Sequence, residues 1–356
     1  MYSTTAKTAS KISVDKCSAD SISSISWHPN SHIFCTTSWD GEINGYLVDP
    51  NTNSCTHKLQ SKSQSALLSS TFTTDGSKLI VTGTDNSVSF LDLASSQLTK
   101  FGSHQAPVSR VRAVPAVQQY VTGGWDHTLN YWDLRSQNPT QSVKLPERIY
   151  CMDVADEILL VGCAGRQFVA YDVRNPQTPA LHRPATLQYQ IRDTAVCPDK
   201  SFFVETGVEG RSSLNYFKLP SQQQTDPKDY SFKCSRPANS DREMYATNAV
   251  TFVRSNVPGS MGTFITGGGD GSVVFWNGRS RQKLHTVPSA TSTGYMSYSS
   301  TPVPVTALGV SFDSKMLAYA AGNDWSKGPL TGTTTQMKTA LYLYPIKDNF
   351  VASSRA

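Results

Sequence analysis

Apolar and polar residues alternate along this chain in short runs, and each run is broken within a few residues by Gly, Asn, Asp or Pro. The stretch "VTGGWDHTLNYWDL" (121–134) is typical, with two alternating segments around an acidic turn. A period of two places successive side chains on opposite faces of a strand, so the pattern predicts many short strands joined by tight turns. No apolar periodicity of helical spacing persists for more than a few turns.

Laid against itself, the chain repeats one phrase: a strand ending in Ser, Thr or Gly, an acidic turn, then an alternating strand ending in a large side chain. Copies lie at 35–49, 81–93, 121–134, 160–173, 204–217 and 265–278, and a seventh opens with "LAYAAGNDWSKG" (317–328) and closes with "TALYLYPI" (339–346). The strand ends Tyr46, Leu91, Trp132, Tyr171, Tyr216, Trp276 and Tyr342 are 45, 41, 39, 45, 60 and 66 residues apart. The first four intervals match the blade of a WD-type β-propeller, about 40 to 45 residues. The last two require insertions, for which 219–244 and 286–304 are the candidates.

A further apolar strand precedes each phrase, which gives four strands per blade. A lone blade cannot bury both faces, so the expected architecture is an all-β, seven-bladed propeller closed into a ring. The segment "KISVDKC" (11–17) is the candidate outer strand of the last blade. The expected organisation is an N-terminal tail over 1–10, one propeller over 11–348 and a C-terminal tail over 349–356.

The acidic corner between second and third strands commonly anchors a network of a His, a strand hydroxyl and a third-strand Trp. Blade 3 offers His104, Asp126 and Trp132, with Gly124 two residues before the acid where a hydroxyl is expected. Blade 1 keeps Ser38 and Asp40 but has Tyr46 in place of Trp. These residues are read as blade-holding, not catalytic.

Composition narrows the functional classes. Only 17% of residues are charged and the net charge is +5, a mild excess that favours an acidic or phosphate-bearing partner without specifying one. The seven cysteines are scattered with no Cys-x-x-Cys pair, as expected of reduced buried thiols. The N-terminal residues lack a signal-peptide core and no run of about 18 apolar residues occurs, so a soluble protein without membrane insertion is expected.

Catalytic motifs are missing. The cluster "TGGGDG" (266–271) lacks the Lys-Ser/Thr of a phosphate loop, and neither Gly-x-Ser-x-Gly nor His-Glu-x-x-His occurs. His28 and His32 flank a strand-to-strand turn, where solvation is the expected role rather than metal binding. No catalytic residue, metal, cofactor or small-molecule substrate is expected, and a binding platform fits better than a propeller hydrolase or lyase.

Two groups of residues suit such a platform. Trp39, Trp125 and Trp325 each stand beside an Asp in a second-to-third-strand corner, and those corners project on one rim. For Trp39 and Trp125 packing against the neighbouring blade is the competing role. Trp325 opens instead into "SKGPLTGTTTQMK" and is the stronger contact candidate. Arg192, Arg211, Lys233 and Arg236 form a basic group in blade 5 and at the entry to blade 6, suited to carboxylate or phosphate, with scattered solvated charge as the alternative.

From Ser21 to Lys347, in order, "ISSISWHPN", "SWDG", "GGWDHTLNYWDLRS", "LPERIYCMDV", "VEGR", "FKCSR" and "NDWSKG" resemble the Rae/Gle-type mRNA export factors, WD-repeat proteins of the nuclear pore. The sister family, the Bub-type mitotic checkpoint propellers, shares "EGR" and "FKC.R", whereas "DWSKG" follows the export-factor pattern. The resemblance implies a non-enzymatic adaptor at the nuclear pore and in the nucleus, with a cytoplasmic pool. It would grip the Gle-binding motif of an FG-repeat nucleoporin and associate with RNA or ribonucleoprotein. Carried over, it implies peptide contacts from Lys233 and Arg236, with Arg192 and Arg211 as neighbours, and from Trp325 and Lys327; Trp39 and Trp125 are further rim candidates. The alternative it leaves is a checkpoint adaptor binding checkpoint-kinase peptides at kinetochores. Where the family has "FKCHR", this chain has "FKCSR".

Overall fold

The computed structural model describes residues 11–217, 228–236, 243–254, 262–288, 302–328 and 337–351. The expected N-terminal tail, most of both insertions, the stretch 329–336 and the last five residues lie outside them. The described residues form seven four-stranded antiparallel sheets. Blade 1 runs from inner to outer strand as Ile22–Trp27, Ile33–Ser38, Glu42–Asp49 and Ser54–Lys62, and blades 2 to 6 repeat that order.

Blade 7 takes three strands from the C-terminal part of the chain, Val305–Val310, Met316–Ala321 and Ala340–Pro345. Its fourth strand is Ile12–Val14, paired through Ile12 with Leu343 and Val14 with Leu341. The predicted seven-bladed ring and its N-terminal closure are thus both present. Packing also continues past residue 348, where a tail was expected: Phe350 is buried, its ring 3.7 Å from that of His285.

Seven apolar clusters fill the ring among the described residues, one at each boundary between neighbouring blades. Between blades 4 and 5, for example, Phe168 meets Phe203 with ring centres 5.1 Å apart. At the closing boundary Ile22, Phe34 and Tyr46 of blade 1 pack on Ala318, Ala320, Leu341 and Leu343 of blade 7. A sheet with two apolar faces is buried only with a neighbour on each side, and each buried side chain contributes about 1.5 to 3 kcal/mol.

The inner strands add directional ties. Every one shifts register at its second residue, as between Ile22 and Ser24 or Val108 and Arg110. In blades 1, 3 and 6 that residue then reaches the next blade. Ser23 Oγ donates to Leu67 O at 2.6 Å, Ser109 Oγ to Ile149 O at 2.7 Å, and Asn248 Nδ2 to Val305 O at 3.1 Å.

The polar network of blade 3 is complete, but its hydroxyl is not where the sequence reading sought it. His104 bonds Asp126 at 3.0 Å through Nδ1 and Thr122 Oγ1 at 2.7 Å through Nε2, and Trp132 Nε1 donates to the same Thr122 at 2.7 Å. The hydroxyl stands four residues before the acid because the strand's alternation points Gly124 and Thr122 to the same face, and Thr122 is the one within reach of the indole. In blade 6 Trp276 donates to Thr266 Oγ1 at 2.9 Å.

Register also corrects two predicted strand-end anchors. Four residues back from the paired end of each second strand, Phe34, Leu79, Tyr120, Leu159 and Phe264 oppose Tyr46, Leu91, Trp132, Tyr171 and Trp276. In blade 5 the same position, Phe203, opposes Asn215 rather than Tyr216, and in blade 7 Leu317 opposes Tyr344 rather than Tyr342. The aromatic stands one residue past the paired position in blade 5 and two residues before it in blade 7, so the repeat phrase alone admits either choice.

Blade 5 therefore places Glu205 where blade 3 has Thr122, and Asn215 where it has Trp132. Glu205 is fully buried; its Oε1 accepts from the Leu187 amide at 2.7 Å, and its Oε2 has no partner among the described residues. Burial pushes this carboxyl up to about 7, against the amide bonds from Leu187 and Thr186.

The corners show what became of the acidic turns. Asp40, Asp85, Asp126, Asp270 and Asp324 each accept through Oδ1 the amide two residues on, at 3.0 to 3.1 Å. The intervening residue has positive φ in every case: Gly41 81°, Asn86 65°, His127 65°, Gly271 75° and Trp325 59°. In four blades the acid stands two residues past the last paired residue of the second strand (Ser38, Gly83, Gly124, Gly268). In blade 7 it stands three past Ala321. One extra residue thus carries Trp325 into the left-handed slot that glycine, asparagine or histidine fills in the other four blades, a conformation unfavourable for a bulky side chain.

Two outcomes follow from these observations. Trp325→Gly should raise stability by about 1 kcal/mol, because the left-handed strain is relieved; urea midpoints measure it, and a lower midpoint would show that packing of the indole outweighs the strain. Glu205 binds a proton more tightly folded than unfolded, so its contribution is fully present below pH 4.5 and is lost as pH rises through about 7. Glu205→Gln should flatten that decline, worth about 3 kcal/mol between these limits. Urea titrations at pH 5 and pH 8 that leave the wild-type slope in place would exclude Glu205 as its source.

Candidate functional site

Each inner strand starts at the end of the ring where the corners lie, and each outer strand finishes there, so this end is the corner face. All eight residues singled out in the sequence fall on it. Trp39, Trp125, Trp325 and Lys327 occupy corners; Arg211 opens a third strand and Lys233 ends an outer strand; Arg236 lies in the following connection, and Arg192 is the second residue of an inner strand.

The basic group divides in two. Arg211 and Lys233 are direct cross-strand partners, and Arg236 donates from Nε to Gly210 O at 3.1 Å and from Nη2 to Glu209 O at 3.2 Å. Arg211 and Arg236 line a shallow groove on blade 5, and Lys233 is exposed beside it. Arg192 turns away to the axis, donating from Nη2 to Asn248 Oδ1 at 3.0 Å.

That bond joins Arg192 to the blade 7 corner. Asn248 Nδ2 donates to Asp324 Oδ2 at 3.0 Å, and on the other flank Ser21 Oγ of blade 1 donates to Asn323 O at 2.6 Å. The corner is clamped from both neighbouring blades while Trp325 itself stands out, 49% exposed. Its backbone amide is held by Asn323 Oδ1 at 3.0 Å. An exposed indole on a clamped turn presents apolar area in a fixed position.

Trp39 and Trp125 are 42% and 40% exposed, so neither is absorbed by lateral packing. They differ from Trp325 in standing before the acid, where their amides bond back to Ser21 O and Pro107 O. Val208 takes this same place in blade 5, with its amide on Gln190 O. Val208, Tyr189 and Met244 are all exposed and line the groove with Arg211 and Arg236. Sequence reasoning missed these three. Aligning "VEG" with "WDG" would have found Val208, whereas Tyr189 and Met244 lie in connections that carry no repeat signal.

The change from "FKCHR" to "FKCSR" is also located. Ser235 stands against Gly268 and Asp270, as His104 stands against Gly124 and Asp126 in blade 3. Its hydroxyl pairs with Thr247 Oγ1 at 2.9 Å, so the substitution alters a blade-holding network and leaves Arg236 in the groove.

The groove thus combines guanidinium donors with exposed apolar side chains, a composition that suits a short acidic segment bearing apolar residues.

Comparison with known proteins agrees with this geometry. The family "WD domain, G-beta repeat" matches residues 10–44 and 95–133. The mRNA export factor GLE2 of Chaetomium thermophilum is 30% identical, over 92% of this chain and 88% of its own. Protein Rae1 of Drosophila melanogaster is 32% identical over 87% and 86%, and the mitotic checkpoint protein BUB3.1 of Arabidopsis thaliana is 31% identical over the same shares. With a seven-bladed ring, five corners that keep their structural acids and likeness along most of its length to the export factors, the chain belongs to the Rae1/Gle2 family of WD-repeat proteins.

Proposed function

We propose that this protein is a non-enzymatic adaptor in mRNA export, acting at the nuclear pore by holding a short segment of an FG-repeat nucleoporin on its corner face. The observation that carries the reading is the meeting of Arg211, Lys233 and Arg236 with exposed Tyr189, Val208 and Met244 on blade 5. Charged donors fix an acidic peptide in register, and the apolar neighbours supply burial. The names of the relatives support the same role.

The blade 7 corner serves as a second contact, with Trp325 as the apolar element and Lys327 as the basic one. Basic side chains on this face also suit the phosphate backbone of RNA in a ribonucleoprotein. A checkpoint adaptor is the second reading, supported by the relative from Arabidopsis thaliana. Both readings use one face, so partner identity separates them.

Calorimetry with a nucleoporin peptide carrying the Gle-binding motif should show binding, and Lys233→Glu with Arg236→Glu should weaken it by about 2 to 5 kcal/mol. Unchanged affinity in a folded double variant would remove blade 5 from the site, and tighter binding of a checkpoint-kinase peptide would favour the second reading. Trp325→Gly should weaken the nucleoporin peptide by about 1 to 3 kcal/mol while the fold gains stability. Equal affinity in that variant would limit Trp325 to a structural oddity.

A further inference from the structure

The central channel, apart from the corner-face groove, holds a cavity of about 500 Å³ whose walls are the inner strands of all seven blades. Its charge lies on one side. Arg110 and Arg112 of blade 3, Asp153 of blade 4, Asp193 of blade 5 and Arg254 of blade 6 line it, and Arg192 stands at its corner-face mouth. The opposite wall is made of hydroxyls and small residues from blades 1, 2 and 7, among them Ser24, Ser26, Ser70 and Thr71.

Both acids are engaged in holding the ring. Asp153 Oδ2 accepts the Val196 amide at 2.8 Å, and Asp193 Oδ2 accepts the Val250 amide at 3.1 Å, each from the next blade. Asp153 Oδ1 also faces Arg112 Nε at 3.6 Å. Three lining guanidinium groups against two lining carboxylates leave an excess of one positive charge in the cavity wall.

The guanidinium groups are incompletely used. Among the described residues Arg110 donates from Nη1 to Ser109 O at 3.0 Å, Arg112 from Nη1 to Val111 O at 2.9 Å, and Arg254 from Nη2 to Val154 O at 3.3 Å. A guanidinium has five N–H donors, so each has capacity left for an oxyanion. Facing hydroxyls, themselves linked as Ser24 to Ser70 at 3.1 Å and Ser26 to Ser70 at 2.9 Å, supply neutral donors on the other side. Burial pushes the Asp193 carboxyl above its usual range against the pull of Arg110.

We propose that the channel is a binding site for a small phosphate-bearing ligand, held between the Arg110–Arg112–Arg254 wall and the serine wall of blades 1 and 2. A phosphate group is anionic and carries three acceptor oxygens, which suits both the positive excess and the donors on opposing walls. The cavity is of small-molecule size. This site is independent of the peptide reading, since none of its wall residues lines the blade 5 groove.

Inorganic pyrophosphate is the probe, titrated calorimetrically into the full chain in chloride buffer. One molecule per chain is expected, with a raised unfolding temperature. Arg112→Gln and Arg254→Gln should each weaken it at least tenfold, and Lys58→Gln, on the exposed outer strand of blade 1, should not. Ser26→Asp leaves every arginine in place and sets a carboxylate on the hydroxyl wall, so it should abolish binding even if an arginine variant folds poorly. Absence of binding, or binding weakened equally by Lys58→Gln, would overturn the site. An oligoribonucleotide that loses affinity in the channel variants while pyrophosphate does not bind would overturn it in favour of a polymer contact.

Discussion

Closing the ring is the constraint on which everything else in this chain depends. Six of the seven boundaries join blades that are neighbours in sequence, but the seventh must bring residues 14–48 against residues 307–343. It is secured at several heights. Ile12–Val14 completes the sheet of blade 7, Trp27 Nε1 donates to Gly309 O at 3.0 Å, and His32 bonds Asp313 at 3.0 Å. Burial at one open boundary would be lost on two faces at once, so the loop-closure entropy of joining the termini is offset by a full interface.

The functional features sit where blades depart from the common plan. Blade 5 replaces the threonine and tryptophan of the polar network with Glu205 and Asn215, and the amide that Glu205 holds belongs to Leu187, two residues before Tyr189 in the groove. Blade 7 accepts one extra residue and a strained tryptophan at its corner. Blades 1, 3 and 6 retain more regular corners and networks. Blades 2 and 4 also depart, with Val81 and Val161 at the threonine position, so departure alone does not mark a contact; the proposed contacts lie in blades 5 and 7.

Architecture was legible because strand alternation and turn chemistry are local properties that repeat. The seven phrases, the closing strand and the single face shared by the corners all follow from period and spacing. What escaped the sequence were matters of one or two residues. In blade 5 Tyr216 stands one residue past Asn215, and in blade 7 Tyr342 stands two residues before Tyr344 on the same face, so a strand ending in an aromatic fits either. Arg192 was grouped with Arg211 and Arg236 by proximity along the chain, yet an inner strand and a third strand of one blade lie at different distances from the axis, and Arg192 bonds to Asn248 instead.

The blade 7 corner shows why a residue's neighbours in sequence can mislead about its role. Trp39, Trp125 and Trp325 all stand next to an aspartate, but the first two precede it with extended backbone bonds to the inner strand and the third follows it in the left-handed slot. The extra residue also brings the Asp324 carboxylate to Asn248, and through Asn248 to Arg192 at the channel mouth. A corner of normal length holds glycine, asparagine or histidine in that slot and places its tryptophan, where it has one, before the acid. The two sister readings share the basic groove of blade 5, so the discrimination between their partners falls to what the groove's distant neighbour adds. A clamped, exposed tryptophan adds apolar area at little ordering cost, and its place across the face favours a partner long enough to span both blades.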